Sequence, residues 1–505
     1  LTARKECFVN DIVELTTGPV RGRVFEDFSL FQGIPYAAPP TGELRWRAPQ
    51  PVQPWTEVRD ATKPGNPCPQ TASAFANIQS SDEDCLYLDV TAPRTAGTKP
   101  VMVWLHGGGG TNGSGSAFDA SRLAVDEDVV VVTPNFRLGI LGYFAFPGLE
   151  DGGCFGLQDQ QAVLRWVRDN IAAFGGAPNN VTLFGESYGA FNIGAHLVAP
   201  GSAGLFHRAI IQSGFALMRP PANTFMPGQP GLSSMWMPLP ELEHVGLQLA
   251  DQLGWVLPKK GDLLQQLREV EVDELLQMSS VFTRPAFGGQ VLPQAPDEAL
   301  RNGQFHDVPV LLGSNRDEAR LFVGLFYEAA GQPVTTERLA HLLEQAFGEN
   351  AAAVAAEYSA DSFDFASLEW AQILTDRAWA LSTWELAEAL SGRSETFVYE
   401  FADRGAPHIL PFPPGFPAGA YHSAELLYQF DLGEPADLGE AQRKLARTMN
   451  SYWANFARTG DPNGEGLPEW APFASGDPHV QQLAPERIER TDFAADHRLE
   501  FWREL

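Results

Sequence analysis

Short runs of β-branched and other apolar residues recur along the chain, at residues 101–106, 129–133, 181–185, 208–213, 308–313 and 396–401. They are too short for helices and lack polar alternation, the pattern of strands buried on both faces. Between many of them apolar residues recur at helical spacing. In residues 157–174 these are Leu157, Val163, Leu164, Val167 and Ile171; in residues 442–458 they are Leu445, Met449, Tyr452, Trp453 and Phe456. Strand–helix alternation predicts an α/β fold with a large, mostly parallel sheet flanked by helices.

Three stretches interrupt this alternation. Residues 1–60 are rich in Pro, Gly and Arg and read as a small antiparallel part made of short strands and turns. Residues 215–300 open on a Met/Pro/aromatic segment that includes Phe225, Met226, Met235, Trp236 and Met237, and residues 320–390 read as helical. Insertions after strand C-termini build pockets in such folds, so both are expected to line one. No Gly/Ser or acidic linker and no internal repeat divides the 505 residues, which points to one large domain over 1–505.

The net charge of −28, from 63 acidic and 35 basic residues, argues against nucleic acid or an anionic membrane surface as a partner. No apolar run approaches the ~20 residues of a membrane-spanning helix, and residues 1–10 carry no signal-peptide core. The cysteines are Cys7, Cys68, Cys85 and Cys154, with no C-x-x-C and no histidine at zinc spacing, so no metal is expected. Cys68 and Cys85 flank a polar loop; a bridge there would contribute about 3 kcal/mol and imply an oxidising compartment. Free thiols stay open on spacing alone.

The richest chemistry lies at residues 185–189, Gly-Glu-Ser-Tyr-Gly, between the apolar run at 181–184 and a helical stretch at 190–198. Strand, G-x-S-x-G and helix form the setting of a nucleophile elbow, in which glycines on both sides relieve crowding at a sharp turn. A serine hydroxyl needs a base, and in this arrangement the acid and then the histidine follow it along the chain. The run at 308–313 leads into Ser314-Asn315-Arg316-Asp317-Glu318, where either carboxylate could orient an imidazole. His408 and His422 both lie in the Pro/Gly-rich segment after residues 396–401, and spacing does not choose between them. His106-Gly107-Gly108-Gly109-Gly110 follows the run at 101–105 and suits backbone donation to an oxyanion. With no G-K-[ST] after it, a phosphate loop is a poor reading.

Together with Phe31-Gln32-Gly33-Ile34-Pro35, Glu83-Asp84-Cys85-Leu86, Gly156-Leu157-Gln158-Asp159-Gln160 and the stretch from Trp453 to Pro462, these motifs resemble the type-B carboxylesterase family of α/β-hydrolases, over residues 12–475. The resemblance implies a carboxylic ester hydrolase with a small-molecule ester substrate and no cofactor. It implies catalytic Ser187, Glu318 and His422, with Gly108, Gly109 and Tyr188 as oxyanion donors. Ser213 and Glu186 are expected behind them. It also implies a disulfide between Cys68 and Cys85, hence a secreted or extracytoplasmic location, and an Arg45–Glu83 ion pair holding the loop. His422 is expected to titrate near ~6.5 if unperturbed, with activity falling below that pH.

Departures from the family pattern sharpen the reading. Tyr188 stands where alanine is usual, and Gly110 where a large residue is usual, so Gly110 is expected to vacate space that Tyr188 fills. Cys154 stands where the family usually has asparagine, and whether it pairs with Cys7 or stays a thiol is open. The loop at 69–84 lacks tryptophan and holds only Phe75 as an aromatic, which disfavours a cholinesterase. The alternatives are a lipase or polyesterase with a wide apolar pocket and, from another class, a non-catalytic binding or adhesion relative.

Overall fold

The computed structural model describes residues 11–256, 261–358, 363–433 and 437–505; Cys7, whose pairing with Cys154 the sequence leaves open, lies outside them. The strands, in chain order, are β1 (Asp11–Leu15), β2 (Gly18–Val24), β3 (Phe28–Pro35), β4 (Arg59–Asp60), β5 (Tyr87–Pro93), β6 (Lys99–Leu105), β7 (Val130–Pro134) and β8 (Gly176–Glu186). They continue with β9 (Arg208–Gln212), β10 (Met237–Pro238), β11 (Ala286–Phe287), β12 (Val310–Asn315), β13 (Thr396–Phe401), β14 (Val480–Ala484) and β15 (Arg487–Thr491). All except β10 and β11 join one 13-stranded sheet, in the order β1-β2-β3-β5-β7-β6-β8-β9-β12-β13-β14-β15, with β4 beside β2.

From β7 to β14 every pairing is parallel. Every residue of β6, β7, β12 and β13 is buried, which is why these strands read as unbroken apolar runs. Residues at the N-terminal end do form antiparallel strands, but β1–β3 extend the edge of the main sheet through the antiparallel β3–β5 pair. The helices Phe155–Asn170, Tyr188–Val198 and Glu440–Thr459 turn their apolar stripes inward. Residues 215–300 and 320–390 contribute further helices, including Leu239–Gln252 and Thr336–Phe347, and the short parallel pair β10–β11.

The expected bridge between Cys68 and Cys85 is not formed. Both are free and buried, with the Cys68 thiol 3.9 Å from the Cys85 carbonyl oxygen. Burial and the neighbouring thiol push the Cys85 sulfhydryl well up. The loop closes without covalent help. Gln70 and Ser80 exchange backbone hydrogen bonds of 2.8 and 3.0 Å. The Arg45 guanidinium grips Glu83 with both Nε (2.8 Å) and Nη2 (2.6 Å), and its Nη1 donates to the Val270 carbonyl (2.6 Å). The oxidising location inferred from that bridge loses this support. Cys154 is also a buried thiol, donating to the Ala286 carbonyl, and burial raises it to about 12. Among the described residues no helix is long and apolar enough to cross a membrane.

Candidate active site

Strand β8 ends at Glu186, and Ser187 takes φ 54° and ψ −119° before the helix Tyr188–Val198 begins. A non-glycine residue held there costs about 1–3 kcal/mol. The turn is held from both sides, by Ser187 N donating to Gln212 O (2.9 Å) and Phe191 N to Ser187 O (2.8 Å). The flanking glycines have a specific reason: the end of β6 crosses the elbow. A Cβ on Gly185 would stand 2.6 Å from the Leu105 carbonyl oxygen, and one on Gly189 only 1.9 Å from it.

The Ser187 hydroxyl is 2.8 Å from His422 Nε2, and His422 Nδ1 is 2.5 Å from Glu318 Oε2. Glu318 Oε1 accepts from the Asn315 amide (2.8 Å), which orients the carboxylate. The neighbouring Asp317 points elsewhere. It accepts from Arg404 Nε (2.9 Å) and Nη2 (2.8 Å), pairs with Arg320 (2.9 Å) and receives the Ala420 amide (3.0 Å). Asp317 therefore anchors the segment that carries His422, and of these two carboxylates it is Glu318 that reaches the imidazole. His408 is exposed, with a 3.2 Å contact to the Leu410 carbonyl and its ring edge-on to Phe412 at 5.1 Å.

Two further glutamates sit close by. Glu186 Oε1 lies 3.3 Å from His422 Nε2 and accepts from the Ser423 hydroxyl (2.5 Å). Glu425 accepts from Asn315 Nδ2 (2.6 Å) and Gln212 Nε2 (3.3 Å). Burial and the Glu425 charge push Glu186 upward, while the His422 charge and the Ser423 hydrogen bond favour its ionised form. Burial also raises Glu425, against its hydrogen bond from Asn315. For His422, burial pulls downward but Glu318 and Glu186 outweigh it, and the imidazole rises to about 9. The value near 6.5 anticipated for an unperturbed imidazole is thus displaced upward, because three carboxylates surround it. Ser213 sits at a left-handed turn (φ 51°) after β9, its amide on Gly313 O (2.8 Å). Its buried hydroxyl has no partner among the described residues, so no hydrogen bond joins it to His422.

Gly108, Gly109 and Gly110 follow one another at φ 97°, 64° and 75°. A Cβ on Gly108 would strike the Asn112 carbonyl oxygen at 2.2 Å, whereas one on Gly109 would meet nothing within 4 Å. The loop is thus braced behind Gly108 and open at Gly109. A Cβ on Gly110 would come 2.6 Å from the Tyr188 ring. Tyr188 fills the space beside Gly110, with Tyr143 edge-on at 5.7 Å and Phe191 at 5.6 Å. His106, which opens the loop, stacks on Phe136 (4.3 Å), and burial lowers it to about 4, leaving it neutral.

An aromatic wall stands beside His422. Phe322 (5.4 Å) and Trp379 (5.9 Å) face the imidazole, Phe225 meets both, and Phe75 joins through Phe322 and Phe326. Chain reading singled out Phe75 and Phe225 but missed Phe322, Phe326, Trp379, Ser423 and Glu425. The position of Glu425, three residues after His422, was the one available signal.

A family model described as Carboxylesterase family matches residues 9–502. The chain is 33% identical to the para-nitrobenzyl esterase of Bacillus subtilis (strain 168), covering 91% of this chain and 92% of that protein. It is 34% identical to the cocaine esterase of Homo sapiens, covering 94% and 86%, and 33% identical to the acylcarnitine hydrolase of Mus musculus, covering 98% and 91%. A solved thermophilic PNB esterase is similar at a TM-score of 0.79 and 30% identity, covering 98% of this chain and 100% of that one.

Proposed function

We propose that this chain, which belongs to the carboxylesterase family and is an enzyme of that class, hydrolyses carboxylic esters through an acyl-enzyme formed on Ser187. His422 Nε2 takes the Ser187 proton as Oγ attacks the ester carbonyl, and Glu318 holds the imidazole and balances its charge. The amides of Gly108, Gly109 and Tyr188 receive the oxyanion, at a loop left open by Gly109. His422 then gives its proton to the leaving alkoxide. Water, activated by the same imidazole, releases the acid and frees Ser187.

The observation that carries this reading is the single imidazole spanning Ser187 Oγ (2.8 Å) and Glu318 Oε2 (2.5 Å) behind a strained elbow. The wall of Phe225, Phe322 and Trp379 supports an apolar acyl or alcohol group seated beside His422. The test is hydrolysis of p-nitrophenyl esters from acetyl to palmitoyl by the wild type and Ser187→Ala. Loss of activity in the variant is expected, and the preferred chain length measures the apolar site. Activity surviving the substitution would overturn the assignment of Ser187.

A further inference from the structure

Ser423, immediately after His422, has φ 74°, in the left-handed region that favours glycine. Its side chain has a definite partner: the hydroxyl donates to Glu186 Oε1 at 2.5 Å. Glu186 is buried and held between two walls. Its Oε2 lies where a Cβ on Gly107 would approach to 2.6 Å, and its Oε1 is 3.3 Å from His422 Nε2. Nε2 therefore has two oxygens in reach, Ser187 Oγ at 2.8 Å and Glu186 Oε1 at 3.3 Å. A Glu186 carboxyl free to turn would take the hydrogen bond that belongs to Ser187.

We infer that Ser423 is a positioning residue for ester hydrolysis: its hydroxyl fixes the Glu186 carboxylate as a second counter-charge to the His422 imidazolium and keeps it off the Ser187–His422 line. This rests on the triad proposed above. During acylation the Oγ–C bond forms, the Ser187 proton moves to Nε2, and the new positive charge lies between Glu318 and Glu186. When the C–O bond to the alcohol breaks, that proton leaves Nε2 for the alkoxide. Ser423 loses no proton; donation from its hydroxyl favours the ionised form of Glu186. The titratable groups facing this pair are Glu318 from the acid loop, Glu425 from the segment of His422 and Tyr399 from β13.

The experiment compares Ser423→Gly and Ser423→Ala with the wild type, alone and with Glu186→Gln, on p-nitrophenyl acetate, reading Tm, kcat, KM and the pH profile of kcat/KM. Glycine adopts positive φ without strain, so Ser423→Gly keeps or raises Tm. Its kcat falls about tenfold, KM stays close to wild type, and the acid limb of kcat/KM moves to lower pH because a neutral Glu186 supports the imidazolium less. Ser423→Ala keeps the Cβ, loses the hydroxyl and shows the same loss of kcat. In the Glu186→Gln background neither variant lowers kcat further. Wild-type kcat with an unmoved limb in both variants overturns the inference while leaving the triad intact. So does an equal loss in the Glu186→Gln background, which would mean that Ser423 acts without Glu186. Ser187→Ala is measured alongside, and activity surviving there overturns the triad and this inference together.

Discussion

Two buried histidines in this molecule each lie between two carboxylates, and only one has the geometry of a base. His422 has Glu318 at 2.5 Å and Glu186 at 3.3 Å; His497 has Asp376 at 2.6 Å and Glu400 at 2.8 Å. Both imidazoles are raised to about 9 despite burial, because the paired carboxylates favour the charged ring. Around His497 both nitrogens are committed to carboxylates, which are themselves clamped by Arg498 (3.2 Å) and Arg316 (2.9 Å). Around His422, Nε2 instead faces a serine hydroxyl at 2.8 Å on a strained turn. A charged cage alone thus makes a staple, here tying the C-terminal segment to β13 and the helical insertion. A base needs a nitrogen directed at a hydroxyl.

The sharpest test of this contrast removes each ring. His422→Ala is expected to lower kcat/KM by about 10⁴-fold or more and also to lower Tm, since it too strands buried carboxylates, Glu318 and Glu186. His497→Ala is expected to cost about 3–5 kcal/mol of stability, by stranding buried carboxylates, with kcat of the folded enzyme preserved. Kinetics and denaturant unfolding on both variants check this, and a folded His497→Ala enzyme that loses activity as His422→Ala does would break the comparison.

A smaller effect concerns the elbow. Tyr188→Ala is expected to cost about 3 kcal/mol, since it empties a packed site beside Gly110. Gly110→Ala is harmful in the wild type through the 2.6 Å approach to the Tyr188 ring. In the Tyr188→Ala background only its φ strain remains. A double-mutant cycle by thermal unfolding checks this, and strictly additive losses would show that the two positions are uncoupled.

The smallest effect is in pH dependence. Both imidazoles sit at about 9, above the ordinary 6.5, so each contributes stability that is complete below about 6.5 and lost as pH rises through about 9. His497→Gln should flatten that alkaline decline in unfolding free energy. Activity runs the other way. Protonated His422 cannot accept from Ser187, so kcat/KM should fall as pH falls, with a midpoint above 6.5. A midpoint at or below 6.5 would mean that Glu318 and Glu186 do not act on the ring together.

Much of this was legible along the chain. The run at 396–401 coincides with β13, and the other central strands appear within a few residues of their apolar runs, because burial on both faces leaves an unbroken signal. The elbow was visible because its glycines adjoin the serine in sequence. The residues alone did not separate Asp317 from Glu318 or His408 from His422: adjacent carboxylates and neighbouring loop histidines look alike until their partners are known. The resemblance favoured Glu318 and His422, and the structure shows why the others turn away, Asp317 toward two arginines and His408 toward solvent. The Cys68–Cys85 bridge was expected from resemblance and is absent, the loop being closed by Gln70–Ser80 and Arg45–Glu83.

By itself the sequence determined the α/β alternation, the elbow and the glycine loop, since each depends on residues adjacent in the chain or on their period. Only the tertiary structure decided which carboxylate meets His422, that Glu186 and Ser423 stand beside it, that Phe225, Phe322 and Trp379 wall one side, and that His497 is a staple. These contacts join residues far apart in the chain, as in the 104-residue span from Glu318 to His422 and the 237-residue span from Glu186 to Ser423. No local pattern encodes such meetings, because strand order and loop packing create them.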